Sequence, residues 1–126
     1  MEDLINVKLQ GIINDSLGIT ISYIELDDLE NEMSKSNDFT IDLDGCQYRF
    51  ISENTIEDTY HDEQMDLIKE CFLDGKDLPW WFEIDWDKTI ENVFNADGYG
   101  NHFSGYDGSE ETFGYDGEVW YVFRTN

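Results

Sequence analysis

The alternation of apolar and polar residues predicts a hairpin and then a helix at the start of the chain. Residues 4–24 fit a pair of strands about as well as they fit a helix. The Asn-Asp-Ser turn at 14–16, followed by alternation of Ile19 and Ile21 with polar neighbours, leads us to predict the hairpin. Residues 25–35 have helical spacing instead, because their apolar side chains recur three and four residues apart. These apolar residues are Leu26, Leu29 and Met33.

A second hairpin and a long helix are predicted next. Residues 39–43 and 46–50 alternate between apolar and polar side chains, and the Asp-Gly pair at 44–45 favours a two-residue turn between them. Residues 54–73 form the longest predicted helix, with Gly75 as its C-cap. We expect this helix to pack on one face of the sheet. The side chains expected to make that contact are Ile56, Tyr60, Leu67, Ile68 and Phe72.

The C-terminal third predicts a short helix and a β-meander. Asp85 is positioned to cap a helix that ends near Asn95. Beyond this helix, Gly-Tyr-Asp-Gly occurs at 105–108 and again at 114–117, and Asp-Gly pairs favour turns. Three antiparallel strands are therefore predicted, at residues 101–105, 110–115 and 118–124.

Composition and charge narrow the class of protein. A chain of 126 residues is expected to form one α+β domain, residues 1–126, with an antiparallel sheet and two to three helices. Seven basic against 30 acidic residues give a net charge of −23, which excludes direct binding to the nucleic-acid backbone, because cations supply that affinity. The same charge opposes docking on an anionic membrane. Without a bilayer-length apolar stretch or a basic N-terminal signal, we expect a cytoplasmic protein.

The sequence offers little chemistry for an enzyme or a metal site. Its Asp-Gly segments lack the order of oxygen ligands found in calcium-binding loops. Cys46 and Cys71 do not form the Cys-x-x-Cys pair of a zinc site, and we expect them to be free, buried thiols. Neither His61 nor His102 lies in a recognisable nucleophile motif. We therefore expect a protein that is not an enzyme and that needs neither a metal nor a cofactor.

The arrangement of the acids is the strongest functional signal. On the predicted helix 54–73, four acids recur at every fourth residue, about 6 Å apart, which is comparable with the spacing of phosphates along DNA. One interpretation is a solvated helix face on a protein whose acidity serves solubility or salt tolerance. The other is a surface that attracts a basic partner by fast, salt-sensitive association. The residues expected to bind such a partner are Asp58, Asp62, Asp66, Glu70, Asp28, Glu32, Tyr106 and Asp107.

Aromatic residues among the acids are candidates for apolar anchors. Trp80, Trp81, Tyr99 and Tyr106 fit either an anchor or a core position, whereas Trp86 and Trp120 are assigned to the core. Of the two Gly-Tyr-Asp-Gly tips, only one is expected to contact the partner, because successive tips of a meander point to opposite ends of a sheet. The first is chosen because acids surround it in sequence; the second is expected to act on stability.

A spaced series of short motifs runs through the C-terminal third. It comprises Pro79, Ile-Asp-Trp-Asp at 84–87, Val-Phe at 93–94 and Tyr-Val-Phe-Arg at 121–124. This series resembles the last segment of the ArdA-type antirestriction proteins, which are acidic DNA mimics of phages and plasmids that block type I restriction enzymes. The resemblance implies a non-enzymatic inhibitor that binds the basic groove of a restriction enzyme. The acidic surface supports a DNA mimic without choosing its target, so another bacterial DNA-binding defence system, such as a CRISPR effector, is also a candidate.

Another partner would use the same physics. An immunity protein that neutralises a basic toxin nuclease also presents an acidic surface to a nucleic-acid-binding site, and this is the alternative function. In both cases the partner is a basic protein of the host rather than a nucleic acid. The oligomeric state, monomer or homodimer, stays open at this point.

Overall fold

The fold is a four-stranded antiparallel sheet covered by helices on both faces. The computed structural model describes residues 2–73 and 79–126, with side chains from residue 8 onward. The α+β class predicted from the sequence is confirmed. The helices are α1 (Glu2–Leu17), α2 (Tyr23–Lys35), α3 (Glu53–Phe72) and α4 (Trp86–Phe103), and the strands are β1 (Asp38–Leu43), β2 (Cys46–Ser52), β3 (Glu111–Tyr115) and β4 (Glu118–Arg124).

The sheet consists of two hairpins joined along their inner strands. Its order is β1-β2-β4-β3, and every neighbouring pair is antiparallel. The hairpin predicted at 39–50 is confirmed, and β3 and β4 match two of the three strands of the predicted meander. Asp-Gly turns at 44–45 and 116–117 close the two hairpins, and all four residues have positive φ, as tight hairpin turns require.

Two apolar cores lie on opposite faces of the sheet. The first is formed with α1 and α2 and includes Trp120 and Val122 of β4. The second is formed with α3 and α4 and includes Phe123 of the same strand. Because both faces of this central strand are covered, the run 119–123 is apolar at every position instead of alternating. The core position predicted for Trp120 is confirmed.

The hairpin predicted at 4–24 is wrong, because these residues form α1, a short connection and the start of α2. Leu9 and Ile13 lie one helical turn apart and are both fully buried, so the apolar pattern that fitted two strands is the core face of a helix. Ser22 caps α2 through a capping box with Glu25. The helix predicted at 25–35 is confirmed, with its apolar side chains buried.

The long helix predicted at 54–73 is confirmed as α3, but its predicted contacts are only partly correct. Ile56 and Tyr60 are buried and Ile68 is partly buried, whereas Leu67 is 45% and Phe72 is 81% exposed. A helix of 20 residues is about 30 Å long. Strands of five to seven residues span only about 17–23 Å, so the C-terminal part of α3 extends beyond the sheet.

The extension of α3 beyond the sheet also bears on the predicted burial of the two cysteines, which is wrong. Cys71 lies near the C-terminal end of α3 and is exposed rather than buried, and Cys46 at the start of β2 is partly buried. The predicted C-cap Gly75 lies outside the described residues. In the described ranges, no helix combines the length and apolar character needed to cross a membrane.

The start of α4 is confirmed, and its first helical run ends close to the predicted position. The Asp85 carboxylate caps the helix by accepting a hydrogen bond from the Lys88 backbone N–H, at 3.1 Å. The first run stops at a break at Gly98, whose φ is 72°, which agrees with the end predicted near Asn95; a second helical run, which was not predicted, continues α4 to Phe103. The strand predicted at 101–105 is therefore wrong. Helix resumes after the break because Tyr99 and Phe103, one turn apart, pack against aromatic residues of β4.

Candidate functional site

The acids predicted on the long helix form one exposed surface. We call Asp58, Asp62, Asp66 and Glu70 the α3 acidic face, and all four are exposed. Because each fourth residue advances about 40° around a helix, the row curves across the side of α3 that faces away from the sheet. Among the described residues, no basic side chain forms an ion pair with Asp58, Asp66 or Glu70, and Asp62 lies 3.9 Å from the His61 ring. The surface is therefore regularly spaced and acidic.

The acids predicted on α2 belong to a different surface. Asp28 is exposed, and Glu32 is partly buried and lies 3.2 Å from the Lys35 ammonium. The helix α2 packs on the sheet face opposite α3. A partner docked on the α3 acidic face would therefore not contact Asp28 and Glu32 through the same flat interface.

The first Gly-Tyr-Asp-Gly segment is a loop between α4 and β3, not a turn between strands. Tyr106 is 55% exposed, and the Arg124 guanidinium lies 3.7 Å from the centre of its ring. The exposed Asp107 carboxylate accepts hydrogen bonds from the hydroxyl and backbone N–H of Ser109, which lower its pKa. Tyr106 and Asp107 line a groove with Leu17 of α1, on the sheet face opposite α3. They do not join the α3 acidic face.

The second Gly-Tyr-Asp-Gly segment forms the end of β3 and the β3–β4 turn, and it contacts α2. The Tyr115 hydroxyl donates a hydrogen bond to the Glu30 carboxylate at 3.1 Å, which connects β3 to α2. Burial, followed by this bond to a carboxylate, raises the pKa of Tyr115 to about 12. The ionised phenol would lose the bond and meet a negative charge. This environment supports the prediction that the second segment acts on stability.

Replacing Tyr115 tests this role. Tyr115→Phe is expected to lower the free energy of unfolding by about 1 kcal/mol at pH 7, because the hydrogen bond is lost. Since the pKa of Tyr115 in the folded protein is raised above its ordinary value of 10, the contribution of the phenol to stability is present below pH 10 and is lost as the pH rises toward about 12. The difference in the free energy of unfolding between the native protein and Tyr115→Phe, measured by urea denaturation, should therefore become smaller above pH 10. Tyr106→Phe is the control, and an equal loss from both changes would contradict the assignment.

An ion cluster at Arg49 was not found from the sequence. Arg49 on β2 donates paired hydrogen bonds to Asp38 and to Glu63 of α3, and the shortest distance to each carboxylate is 2.7 Å. His102 of α4 also lies 3.0 Å from Glu63. Burial raises the pKa of Glu63, but the bonds to Arg49 and His102 outweigh it and hold the pKa below its ordinary value. No local motif joins these four residues, because they come from four elements.

Several basic side chains already contact a carboxylate or a ring of this protein and do little to offset the acidity of the α3 acidic face. Lys35 and Lys88 pair with carboxylates on their own helices. Lys69 lies on α3, and its ammonium is 5.5 Å from the centre of the Trp86 ring, which is only partly buried rather than in the core as predicted. Arg49 is held in its ion cluster.

Three of the four candidate aromatic anchors are at the surface. Trp80 is 92% and Trp81 is 66% exposed, and Tyr106 is exposed as described above, so the alternative assignment of these rings to the core is wrong. Tyr99 is partly buried and contacts Tyr60, Phe94 and other rings of the second core.

A cleft of about 520 Å³ lies between α3 and α4. Its aromatic wall consists of Tyr60, Phe94 and Tyr99, whose ring centres lie 4.6–5.7 Å apart. Carboxylates of Glu57, Asp87 and Glu91 also line the cleft, together with His61 and Ile90. We call this the α3–α4 cleft. A hydrogen bond of 3.0 Å between His61 Nε2 and Asp87 Oδ1 joins the two helices there.

The Tyr60 hydroxyl is an unusual feature of this cleft. The residue is only 2% exposed, yet its hydroxyl has no hydrogen-bond partner among the described residues. Burial raises its pKa, and Gln64 on the next turn is close enough to oppose that rise without forming a hydrogen bond of good geometry. A buried hydroxyl without a partner destabilises the free protein.

Within residues 2–73 and 79–126, no group of three His, Cys, Asp or Glu side chains is arranged to hold a metal ion. The protein is a strongly acidic α+β protein that carries the α3 acidic face and the α3–α4 cleft. No protein-family model, curated protein or solved structure matches the chain. The resemblance to ArdA-type proteins therefore stays a prediction.

Proposed function

We propose that this protein is a non-enzymatic DNA mimic that acts in the cytoplasm of a bacterial cell. It occupies the basic nucleic-acid groove of a DNA-binding defence protein, either a restriction enzyme or a CRISPR effector. The observation that carries the proposal is the α3 acidic face, four exposed carboxylates at regular spacing on one helix. A partner that has evolved to bind phosphates would meet a comparable row of negative charges.

The packing of α3 supports this function. Ile56, Tyr60 and Ile68 pack in the second core, so the stretch of helix between them, which carries three of the four carboxylates, is anchored to the sheet. Like charges one turn apart destabilise a helix by a few tenths of a kcal/mol per pair. A surface that keeps such repulsion in an ordered helix is consistent with selection for binding.

The overall charge supports the mode of association. A net charge of −23 creates a long-range field that steers a basic partner toward the protein and accelerates encounter. Because exposed charges more than about 10 Å apart are screened at 0.1 M salt, this attraction should weaken strongly with ionic strength. Exposed rings such as Trp80 and Trp81 could add apolar contacts that charge alone does not provide.

A competition assay tests the proposal. A purified type I restriction enzyme and a CRISPR effector are each bound to fluorescent DNA, and the protein is added while anisotropy is recorded. We expect it to displace DNA competitively from at least one of them, less effectively as NaCl rises from about 0.05 to 0.5 M. The protein itself should not bind the DNA. Direct binding to the duplex, or inhibition that DNA cannot compete with, would contradict the mimic.

The same assay separates the alternative function. A basic toxin nuclease is included as a third target. Neutralisation of this nuclease, with no displacement of DNA from either defence protein, would support an immunity protein instead.

A further inference from the structure

We infer that the α3–α4 cleft binds the guanidinium group of an arginine side chain. The inference rests on the proposed function only for the source of that side chain, since a basic partner would present one beside the α3 acidic face. The argument for the ligand class comes from the aromatic wall, the carboxylates and the unpartnered Tyr60 hydroxyl of the cleft.

The aromatic wall suits a flat cation. Tyr60 contacts both Phe94 and Tyr99 edge to face, at 5.7 and 5.2 Å between ring centres. Phe94 is 37% exposed, so a ligand can reach the wall from solvent. Cations within about 6 Å of a ring centre are attracted by its negative face, and arginine uses this contact more often than lysine. A cleft of about 520 Å³ also lies within the usual range for ligand sites, about 300–1,000 Å³.

The polar groups of the cleft suit a guanidinium better than an ammonium. In the free protein Asp87 is bound to His61, and Glu91 lies 3.7 Å from the Lys88 ammonium. Glu57 has no such partner among the residues described, so it offers an unpaired carboxylate. A guanidinium has five donors in one plane, whereas an ammonium is a point charge with three.

The Tyr60 hydroxyl is the observation that points to a bound donor. Tyr60 lines the cleft and is almost completely buried, and its hydroxyl lacks a hydrogen-bond partner within the described part of the chain. Because the hydroxyl is covered in the free protein, a neighbouring side chain has to move before a guanidinium N–H can reach its oxygen; the energetic cost of leaving that oxygen unpaired is then removed on binding. An apolar ligand would leave the hydroxyl unpaired, so the site favours a ligand with donors.

Titration with a free amino-acid derivative tests the inference without a partner. N-acetyl-arginine methylamide is added to the ¹⁵N-labelled protein, and the citrulline derivative, which has the same shape without the charge, is added to a second sample. We expect the arginine derivative to bind about tenfold more tightly, because charged donors form the stronger hydrogen bonds. Its shifts should centre on Tyr60, Phe94 and Tyr99. Equal binding of both compounds, preference for the lysine derivative, or shifts centred on the α3 acidic face would overturn the inference.

Two variants make the test specific to the cleft. Tyr60→Phe removes only the hydroxyl, and we expect at least threefold weaker binding of the arginine derivative with an unchanged or higher melting temperature. The double variant Glu57→Gln with Glu91→Gln should weaken binding of the arginine derivative about tenfold. It tests the location of the site by itself if Tyr60→Phe does not fold.

The control removes the same charge elsewhere. Asp15→Asn with Asp27→Asn takes two exposed carboxylates from the opposite side of the sheet and should change arginine binding by less than twofold. Equal weakening by the control pair and the cleft pair would show general attraction to an acidic surface and overturn the site. Failure of arginine to bind leaves the DNA competition assay unaffected, so the two proposals fail separately.

Discussion

Neutralising the α3 acidic face is expected to weaken displacement of DNA from the partner by about 30-fold at low salt. The variant carries Asp58→Asn, Asp62→Asn, Asp66→Asn and Glu70→Gln. Interface charges of this kind contribute about 0.5 kcal/mol each, so four of them contribute about 2 kcal/mol, and 1.4 kcal/mol corresponds to tenfold in affinity. The protein should be at least as stable as before, because the repulsion between successive turns of α3 is relieved.

A matched variant controls for total charge. Asp15→Asn, Asp27→Asn, Glu111→Gln and Asp116→Asn also remove four negative charges, from exposed positions away from the α3 acidic face. Asp116 has positive φ, which Asn adopts readily. DNA displacement by this variant should fall only a few-fold, through weaker steering. Equal loss in both variants would contradict a binding surface on α3.

Single substitutions within the α3 acidic face add a further test. A charged surface should lose affinity in small steps, one for each carboxylate removed. If one of the four changes abolished activity while the other three had no effect, a catalytic or metal-binding residue would explain the protein better than DNA mimicry.

Replacing Arg49 is expected to have the largest effect on stability. Arg49→Met should lower the free energy of unfolding by about 2 kcal/mol, because removing one partner of this partly buried ion cluster leaves the other charges uncompensated, while their partial exposure to solvent reduces the loss. Asp38 and Glu63 would then face each other's charge without the guanidinium that both contact at 2.7 Å. The stability of Arg49→Lys should lie between that of the native protein and that of Arg49→Met, since an ammonium keeps the charge but cannot make the paired hydrogen bonds.

Urea denaturation at several pH values measures this effect. Because Arg49 helps to hold the pKa of Glu63 below 4.5, the contribution of this carboxylate is present above pH 4.5 and is lost as the pH falls through the lowered value. The native protein should therefore lose stability below pH 4.5 more steeply than Arg49→Met. Lys35→Met, which removes an exposed pair with Glu32, should change stability by less than about 0.5 kcal/mol. A similarly small change for Arg49→Met would contradict its structural role.

Local sequence signals predicted much of the secondary structure. The Asp-Gly pair at 44–45, the helical spacing of 25–35 and the cap at Asp85 each act over a few neighbouring residues, and the structure has the corresponding elements. The exposed row on α3 could also be predicted, because helical geometry alone determines which side chains share a face. The conformation of residues 4–17 could not, because a strand and a helix fit their pattern equally well until the sheet is present to bury Leu9 and Ile13.

The sequence alone therefore determined the charge, the turns and the faces of individual helices, whereas the tertiary structure decided which of these faces lie together. Packing on both sides of the sheet separated Asp28 and Glu32 from the α3 acidic face. It also brought Arg49, Asp38, Glu63 and His102 into one cluster and enclosed the Tyr60 hydroxyl between α3 and α4. These residues are up to 64 positions apart in sequence, counted from Asp38 to His102. Contacts over such separations depend on how whole helices and strands pack, so a local sequence pattern does not predict them.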